Sequence, residues 1–218
     1  MQLPMRLYGY FRSSTSYRLR IALNLKGLPY EYVPVSLLKG EQKAADYVAR
    51  DPFASVPLLT ADGRDRAQSM AQLEWLDEVY PQVPLLPRDI EKRFTVRELA
   101  YAIATETHAP NNLPVLRYLK TEFSATQDQI GDWYRHWLTR TFEPIEARLA
   151  QYDAGDYLFD APGLFEVVLL PQVYNAERFD FDFQPYPHIR RIADACLALE
   201  AFQHAHPDHQ IDNPERTA

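Results

Sequence analysis

The hydrophobic pattern changes its period about a third of the way along the chain. Leu7-Tyr8-Gly9-Tyr10-Phe11 is a short aromatic run that predicts a strand. After Arg12-Ser13-Ser14-Thr15-Ser16, positions Leu19, Ala22 and Leu23 recur at helical spacing. Lys26-Gly27 then reads as a helix stop. A cation suits the last turn, glycine turns left-handed without strain, and Pro29 prevents resumption. Residues 30–35 predict a second strand, and residues 41–50 a weaker helix ending at Asp51-Pro52. The run Ser55-Val56-Pro57-Leu58-Leu59 leads to Asp62-Gly63, a hairpin turn signal. Ala67-Gln68-Ser69 opens a helix in which Met70, Leu73, Leu76 and Tyr80 share a face, and Pro81 closes it. This order predicts a small α/β domain over residues 1–82.

Residues 81–88 hold three prolines and read as a linker. Beyond them the pattern is helical throughout, which predicts an all-α domain over residues 89–210. One stripe is Val96, Leu99 and Ile103. A second is Ile130, Tyr134, Leu138, Phe142, Ile145 and Leu149, and a third is Ile189, Ile192, Cys196 and Leu199. Pro144 lies inside the second stripe and is expected to kink or divide that helix. Residues 208–218 are polar and read as a frayed end.

Composition narrows the function. The chain has 218 residues, of which 46% are hydrophobic and 24% charged, an ordinary globular balance. Its net charge of −7 argues against nucleic acid or an anionic membrane surface as a partner. No apolar run approaches the roughly 20 residues that span a bilayer, and Met1 to Arg6 lack the apolar core of a secretory signal. The single cysteine, Cys196, excludes an internal disulfide and a thiolate metal cluster and fits a reducing, cytoplasmic setting. It sits on an apolar stripe and reads as a core residue. His204, His206 and His209 read as solvated surface rather than metal ligands, and Trp133 and Trp137 as packing residues.

Three loops carry chemistry suited to a small anion. Ser13-Ser14-Thr15-Ser16 stands at a helix start, where unpaired N–H groups and the helix dipole favour negative charge. One hydroxyl suffices for a plain N-cap, and four exceed that need. Val56-Pro57 precedes a strand. Gln68-Ser69 stands at another helix start, where the serine N–H and hydroxyl suit a carboxylate, or where the pair simply caps.

The segment from Tyr10 to Leu23, Tyr-Phe-Arg-Ser-Ser-Thr-Ser-Tyr-Arg-Leu-Arg-Ile-Ala-Leu, resembles the signature of zeta-class glutathione transferases, Ser-Ser-Cys-x-Trp/His-Arg-Val-Arg-Ile-Ala-Leu. This family includes maleylacetoacetate and maleylpyruvate isomerases. The resemblance continues at Val56-Pro57, at Gln68-Ser69 with Glu74-Trp75-Leu76-Asp77-Glu78, and at Pro110-Asn111-Asn112. It returns at Leu170-Pro171-Gln172-Val173, at Asn175 to Phe179, and at Pro185-Tyr186-Pro187. It implies a thioredoxin-like N-terminal domain, a helical-bundle C-terminal domain, glutathione as cofactor and a homodimer. Ser13 matches the residue that hydrogen-bonds the glutathione sulfur, and Ser14 and Thr15 match its neighbours. Val56 matches the partner of the cysteinyl backbone, with Pro57 as the family's cis-proline. Gln68 and Ser69 match the γ-glutamyl pair, and Gln42 a residue at the glycyl end. His108 and Asn112 fall where the helical domain contributes.

The implied chemistry is cis–trans isomerisation of a small dicarboxylic enone, such as maleylacetoacetate, by reversible thiolate addition. Arg12 and Arg178 are the candidates for holding its carboxylates, because a planar guanidinium matches a carboxylate. The alternatives are glutathione transfer or dehalogenation of small α-halo acids, maleylpyruvate isomerisation, and a non-catalytic glutathione-binding module. Three single positions and one stretch depart from the family pattern. Thr15 replaces cysteine, and Asp51 replaces asparagine. Leu113 stands where the maleylpyruvate branch has an arginine, which tilts the substrate towards maleylacetoacetate. Gly163-Leu164-Phe165-Glu166 replaces a Thr-x-Ala-Asp capping box, so that helix is expected to be less well anchored.

Overall fold

The structure, a computed structural model, describes residues 5–216. The described residues form two compact units, one from residues 5–85 and 198–216, the other from residues 86–197.

In the first unit β1 (Met5–Gly9) is followed by α1 (Ser14–Leu25), β2 (Tyr30–Pro34), α2 (Ala45–Val48), β3 (Leu58–Ala61), β4 (Arg64–Arg66) and α3 (Ser69–Val79). The sheet order is β2-β1-β3-β4. β1 and β2 run parallel with Leu7 opposite Tyr32, whereas β3 is antiparallel to β1 with Leu59 opposite Leu7. A parallel pair needs a crossover and an antiparallel pair only a turn. Accordingly α1 bridges β1 and β2, and Asp62 and Gly63, both at positive φ, join β3 to β4. The core is Leu7, Leu19, Ile21, Leu23, Leu58, Leu59, Leu73 and Leu76, all fully buried.

Several sequence expectations shift locally. Tyr10 and Phe11 leave the strand for a turn, where they pack edge to face and stay buried. The weak helix over 41–50 becomes a 3-10 turn, Glu41–Lys43, followed by the single turn of α2. The linker expected over 81–88 is packed down in its first part. Lys26 Nζ, buried at the end of α1, donates to Asp77 (2.9 Å) and to the carbonyls of Tyr80 (3.0 Å) and Val83 (2.7 Å). Leu85 N–H donates to the same Asp77 carboxylate at 2.6 Å.

The C-terminal segment differs most from its expectation. After residue 197 the chain belongs to the first unit, so the helical unit ends before residue 210. α9 (Glu200–Ala205) packs on α1. Carbonyls at a helix end have no partner within the helix, and α1 supplies a donor to one of them, Arg20 Nε to Ala205 O (2.8 Å), while Asn24 Nδ2 donates to Ala201 O (2.9 Å). A 3-10 turn, Pro207–His209, follows, and His206 accepts the Asp208 N–H at its start. Gln210 is buried and donates to the carbonyls of His204 and His206. The segment expected to fray is thus tied down through residue 212.

The second unit holds α4 (Ile90–Ala102), a π-helical stretch (Ile103–His108), α5 (Leu113–Glu122), α6 (Gln127–Gln151), α7 (Leu164–Glu177) and α8 (Pro187–Leu197). α7 is apolar on every side and buried from Leu164 to Val173, as suits a helix enclosed by others. The α6 stripe is buried over its whole length. Pro144 does not divide α6, although it removes a backbone hydrogen bond. Phe142 and Ile145, fully enclosed on either side of it, keep the helix continuous. Leu199 drops out of the third stripe, because α8 ends at Leu197 and Leu199 caps α9.

The replaced capping box still closes. Buried Glu166 accepts the Gly163 N–H and the Leu158 N–H, each at 2.8 Å. Glycine has no side chain to complete the reciprocal half, so a single carboxylate holds the start of α7 and the preceding loop. Burial pushes the Glu166 carboxyl above the ordinary range, against the pull of those N–H groups. Cys196 is fully buried, and burial raises its thiol.

Candidate active site

The turn between β1 and α1 is built by close approach. A Cβ on Gly9 would lie 3.0 Å from Tyr32 Cε2 and 3.1 Å from Ser16 Oγ, so any side chain there would push both neighbours aside. Tyr10 N–H then donates to Ser16 Oγ (3.3 Å), and Ser13 N–H to Tyr10 O (3.0 Å). Ser13 is the N-cap of α1, its Oγ accepting the Ser16 N–H at 3.2 Å.

The cap leaves Ser13 with a proton to give. Thr15 Oγ1 lies 2.8 Å from Ser13 Oγ and donates its own proton to Val56 O at 2.9 Å. Thr15 has one hydroxyl proton, so the Ser13 hydroxyl is the donor in the Ser13–Thr15 pair. The result is a chain from Ser13 through Thr15 to the Val56 carbonyl. Rotation about the Ser13 Cβ–Oγ bond would redirect its proton to a ligand without disturbing the cap. Threonine in place of cysteine thereby ties the α1 start to the Val56 loop.

That loop is fixed from both sides. Val56-Pro57 is a cis peptide. Asp51, fully buried, accepts the N–H groups of Phe53 and Ser55 (both 3.0 Å) and the Ser55 hydroxyl (3.1 Å). Gln72 Nε2 of α3 donates to Pro57 O at 3.0 Å and to Arg66 O at 2.6 Å. Gln68 is exposed at positive φ, and no side chain caps α3. Ser69 Oγ accepts from Arg18 Nη1 at 3.3 Å. Gln42 is buried, and its Oε1 has no hydrogen-bond partner among the described residues. Arg12 is partly exposed, with its guanidinium 5.2 Å from the Phe11 ring centre and 3.4 Å from the Tyr10 hydroxyl. It pairs with no carboxylate among the described residues.

The first unit therefore brings Arg12, Ser13, Ser14, Thr15, Val56 and Pro57 to one corner. Three further candidates belong to the second unit. Asn112 caps α5, accepting the Val115 N–H at 3.2 Å. His108 ends the π-helical stretch, a distortion often found at functional sites. Arg178, at the C-cap of α7, is exposed and 3.3 Å from Asn175 Oδ1.

The sequence reading missed Gln72 and two groups that hold the Phe11 peptide. Phe11 N–H donates to Asp212 Oδ2 at 2.9 Å, and Arg20 Nη2 donates to Phe11 O at 3.0 Å. Arg20 is fully buried, which lowers its basicity, yet it keeps its charge at neutral pH. Burial raises the Asp212 carboxyl, with the Phe11 N–H opposing. A charged arginine inside an apolar helix stripe was the available signal, since buried charge demands partners.

This corner offers an anion the start of α1 and a hydroxyl donor, and the same unit holds the uncapped start of α3 and the buried Gln42 amide. Those groups fit the thiol, backbone and carboxylates of an anionic tripeptide. Comparison with known proteins agrees. Residues 3–78 match the glutathione S-transferase N-terminal domain. A maleylpyruvate isomerase from a Ralstonia species is 44% identical over 211 residues, 96% of this chain and 100% of that protein. The crystal structure of maleylacetoacetate isomerase from Anaeromyxobacter dehalogenans with glutathione bound in the active site superposes with a TM-score of 0.87 at 43% identity, covering 98% of this chain and 100% of that one. The same enzyme with bound dicarboxyethyl glutathione and citrate gives 0.85 at 41% identity, covering 99% and 97%. The thioredoxin-like sheet, the helical region and the hydroxyl-rich start of α1 find their common explanation in that kinship: the chain belongs to the zeta class of glutathione transferases, the family of the maleylacetoacetate and maleylpyruvate isomerases.

Proposed function

We propose that this protein is a glutathione-dependent cis–trans isomerase of a small dicarboxylic enone, with maleylacetoacetate as the leading substrate. The observation that carries the reading is the Ser13–Thr15–Val56 hydrogen-bond chain at the start of α1, which presents a rotatable hydroxyl donor where an anionic sulfur gains most.

Bound glutathione supplies a thiolate that adds to the cis double bond, allows rotation about the resulting single bond, and leaves to give the trans isomer. The protein's part is to hold charge and geometry. Ser13 turns its hydroxyl to the sulfur, and the helix start with Ser14 and Thr15 favours the ionised form. A free thiol titrates near about 8.5, and a helix N-terminus lowers that by about one pH unit or more. Val56 and Pro57 suit the cysteinyl backbone, Gln68 and Ser69 the γ-glutamyl carboxylate, and Gln42 the glycyl end. His108 and Asn112 are the proposed contributions of the helical unit to glutathione binding. Arg12 and Arg178 are assigned to the substrate carboxylates. The dicarboxyethyl adduct held by the related enzyme supports this pairing of a thiol with a dicarboxylic acid. Leu113 in place of an arginine favours maleylacetoacetate over maleylpyruvate. By the same kinship we propose a homodimer, and the buried Cys196 thiol fits the cytoplasm.

The test is a cis–trans assay on maleylacetoacetate with and without glutathione. Turnover is expected only with glutathione, and glutathione-independent or absent turnover would refute the assignment. Arg12→Ala is expected to raise the substrate KM roughly tenfold with kcat little changed, the loss of one charge-assisted hydrogen bond. Unchanged kinetics would remove Arg12 from the site.

A further inference from the structure

The turn that precedes Ser13 has all four backbone groups of Tyr10 and Phe11 engaged. Tyr10 N–H goes to Ser16 Oγ, and Tyr10 O takes the Ser13 N–H. Phe11 N–H goes to Asp212 Oδ2 at 2.9 Å, and Phe11 O takes Arg20 Nη2–H at 3.0 Å. The first two contacts are local. The third goes to the C-terminal segment, and the fourth comes from Arg20 of α1. Asp212 stands 201 positions away in sequence. Arg20 also spans to that segment through Nε–H to Ala205 O at 2.8 Å. Around Asp212 stand the Tyr32 hydroxyl, 3.4 Å from Oδ2, and the electrostatic influence of Arg20. The edge of the Tyr17 ring meets His206 at 5.9 Å, so the segment is also packed against α1.

We infer that Asp212 is a positioning residue for catalysis: by accepting the Phe11 N–H, the C-terminal segment sets the turn that aims the Ser13 hydroxyl. The inference rests on the thiolate role proposed above for Ser13. The sulfur-directed hydroxyl must be aligned to a fraction of an ångström to act, and a misplacement of about 1 Å costs about a hundredfold in rate. The turn carries Ser13 only two residues beyond the Phe11 amide. Without its acceptor, that amide must seek another partner, and the turn follows it. A carboxylate bound through one oxygen is replaceable by an amide that keeps the oxygen, which makes the role separable from charge.

The experiment compares wild type with Asp212→Ala and Asp212→Asn. It titrates the thiol of bound glutathione by its ultraviolet thiolate absorbance, and measures kcat, KM and amide exchange at Phe11 and Ser13. Wild type is expected to hold the thiol about one pH unit or more below its free value. In Asp212→Ala the thiol returns most of the way, kcat falls about tenfold with KM for the enone little changed, and exchange at Phe11 accelerates. Asp212→Asn restores all three. A wild-type thiol that titrates as it does free in solution refutes the Ser13 reading itself. A depressed wild-type thiol that stays depressed in Asp212→Ala overturns the role of Asp212 alone. Asp212→Leu, which fills a similar volume without an acceptor, replaces the alanine variant if that does not fold. Failure of both to fold while Asp212→Asn does would assign Asp212 to stability and overturn the positioning role.

Discussion

Ser13→Ala is expected to lower isomerase turnover by about a hundredfold or more while weakening glutathione binding by less than about tenfold. The asymmetry follows from where the hydroxyl acts. It is one of several contacts to the tripeptide, so its loss removes an ordinary hydrogen bond from binding. In the proposed role it is also the side-chain donor at the sulfur, so its loss would fall wholly on the ionised form that reacts. Alanine removes the α1 cap as well, since Ser13 Oγ accepts the Ser16 N–H, and a lost cap costs about 1 kcal/mol of stability. Ser13→Asp separates the two effects. Aspartate caps as well as serine but offers no proton and sets a negative charge beside the sulfur. Its thermal stability is therefore expected to match wild type while its activity stays lost. Equal losses of affinity and turnover in Ser13→Ala, or an active Ser13→Asp, would count against the thiolate role.

Glu166→Ala is expected to destabilise the helical unit by about 3–5 kcal/mol, a fall in Tm of about 10 °C. The change strands the buried N–H of Leu158 and the part-buried N–H of Gly163, and opens a cavity beneath the start of α7. In most capping boxes two side chains share this task; here the glycine at the cap leaves all of it to one carboxylate. The pH dependence has a definite sign. Burial raises the folded-state pKa of Glu166, so the folded protein holds that proton more tightly than the unfolded chain. Wild-type stability then declines as pH rises from the ordinary carboxylate range through the raised value. The variant lacks this decline, so the gap between the two narrows with rising pH. A Tm within a few degrees of wild type, measured by calorimetry, would show that other groups hold the start of α7.

Much of the fold was legible because its elements obey local rules. The α6 stripe at helical spacing is buried residue by residue, and Asp62-Gly63 makes its hairpin because both adopt positive φ. The candidate site was legible at Ser13 and Ser69 through their places at helix starts. It was less so at Val56-Pro57, where the cis geometry came from family resemblance, since isolated sequence favours trans. Two expectations failed for one shared reason. Residues 208–218 read as frayed because they are polar, yet the segment is tied down through residue 212, and Leu199 read as part of a continuous stripe. Pro144 was expected to kink or divide α6, and the helix is not divided. For the first two the deciding partner lies far along the chain or in a surrounding pack of side chains that no short window contains.

The sequence by itself determined the periodicities, the helix starts and stops, the hydroxyl-rich corner and the kinship that names its chemistry. These depend on neighbours within a few residues or on whole motifs preserved in order. Only the tertiary structure decided that residues 198–216 return to the first unit, that Arg20 joins the Phe11 and Ala205 carbonyls, and that Asp212 holds the turn before Ser13. The physical reason is desolvation. A buried guanidinium or carboxylate must find hydrogen-bonding partners wherever folding brings them, and that choice is made in space, between groups 185 and 201 residues apart.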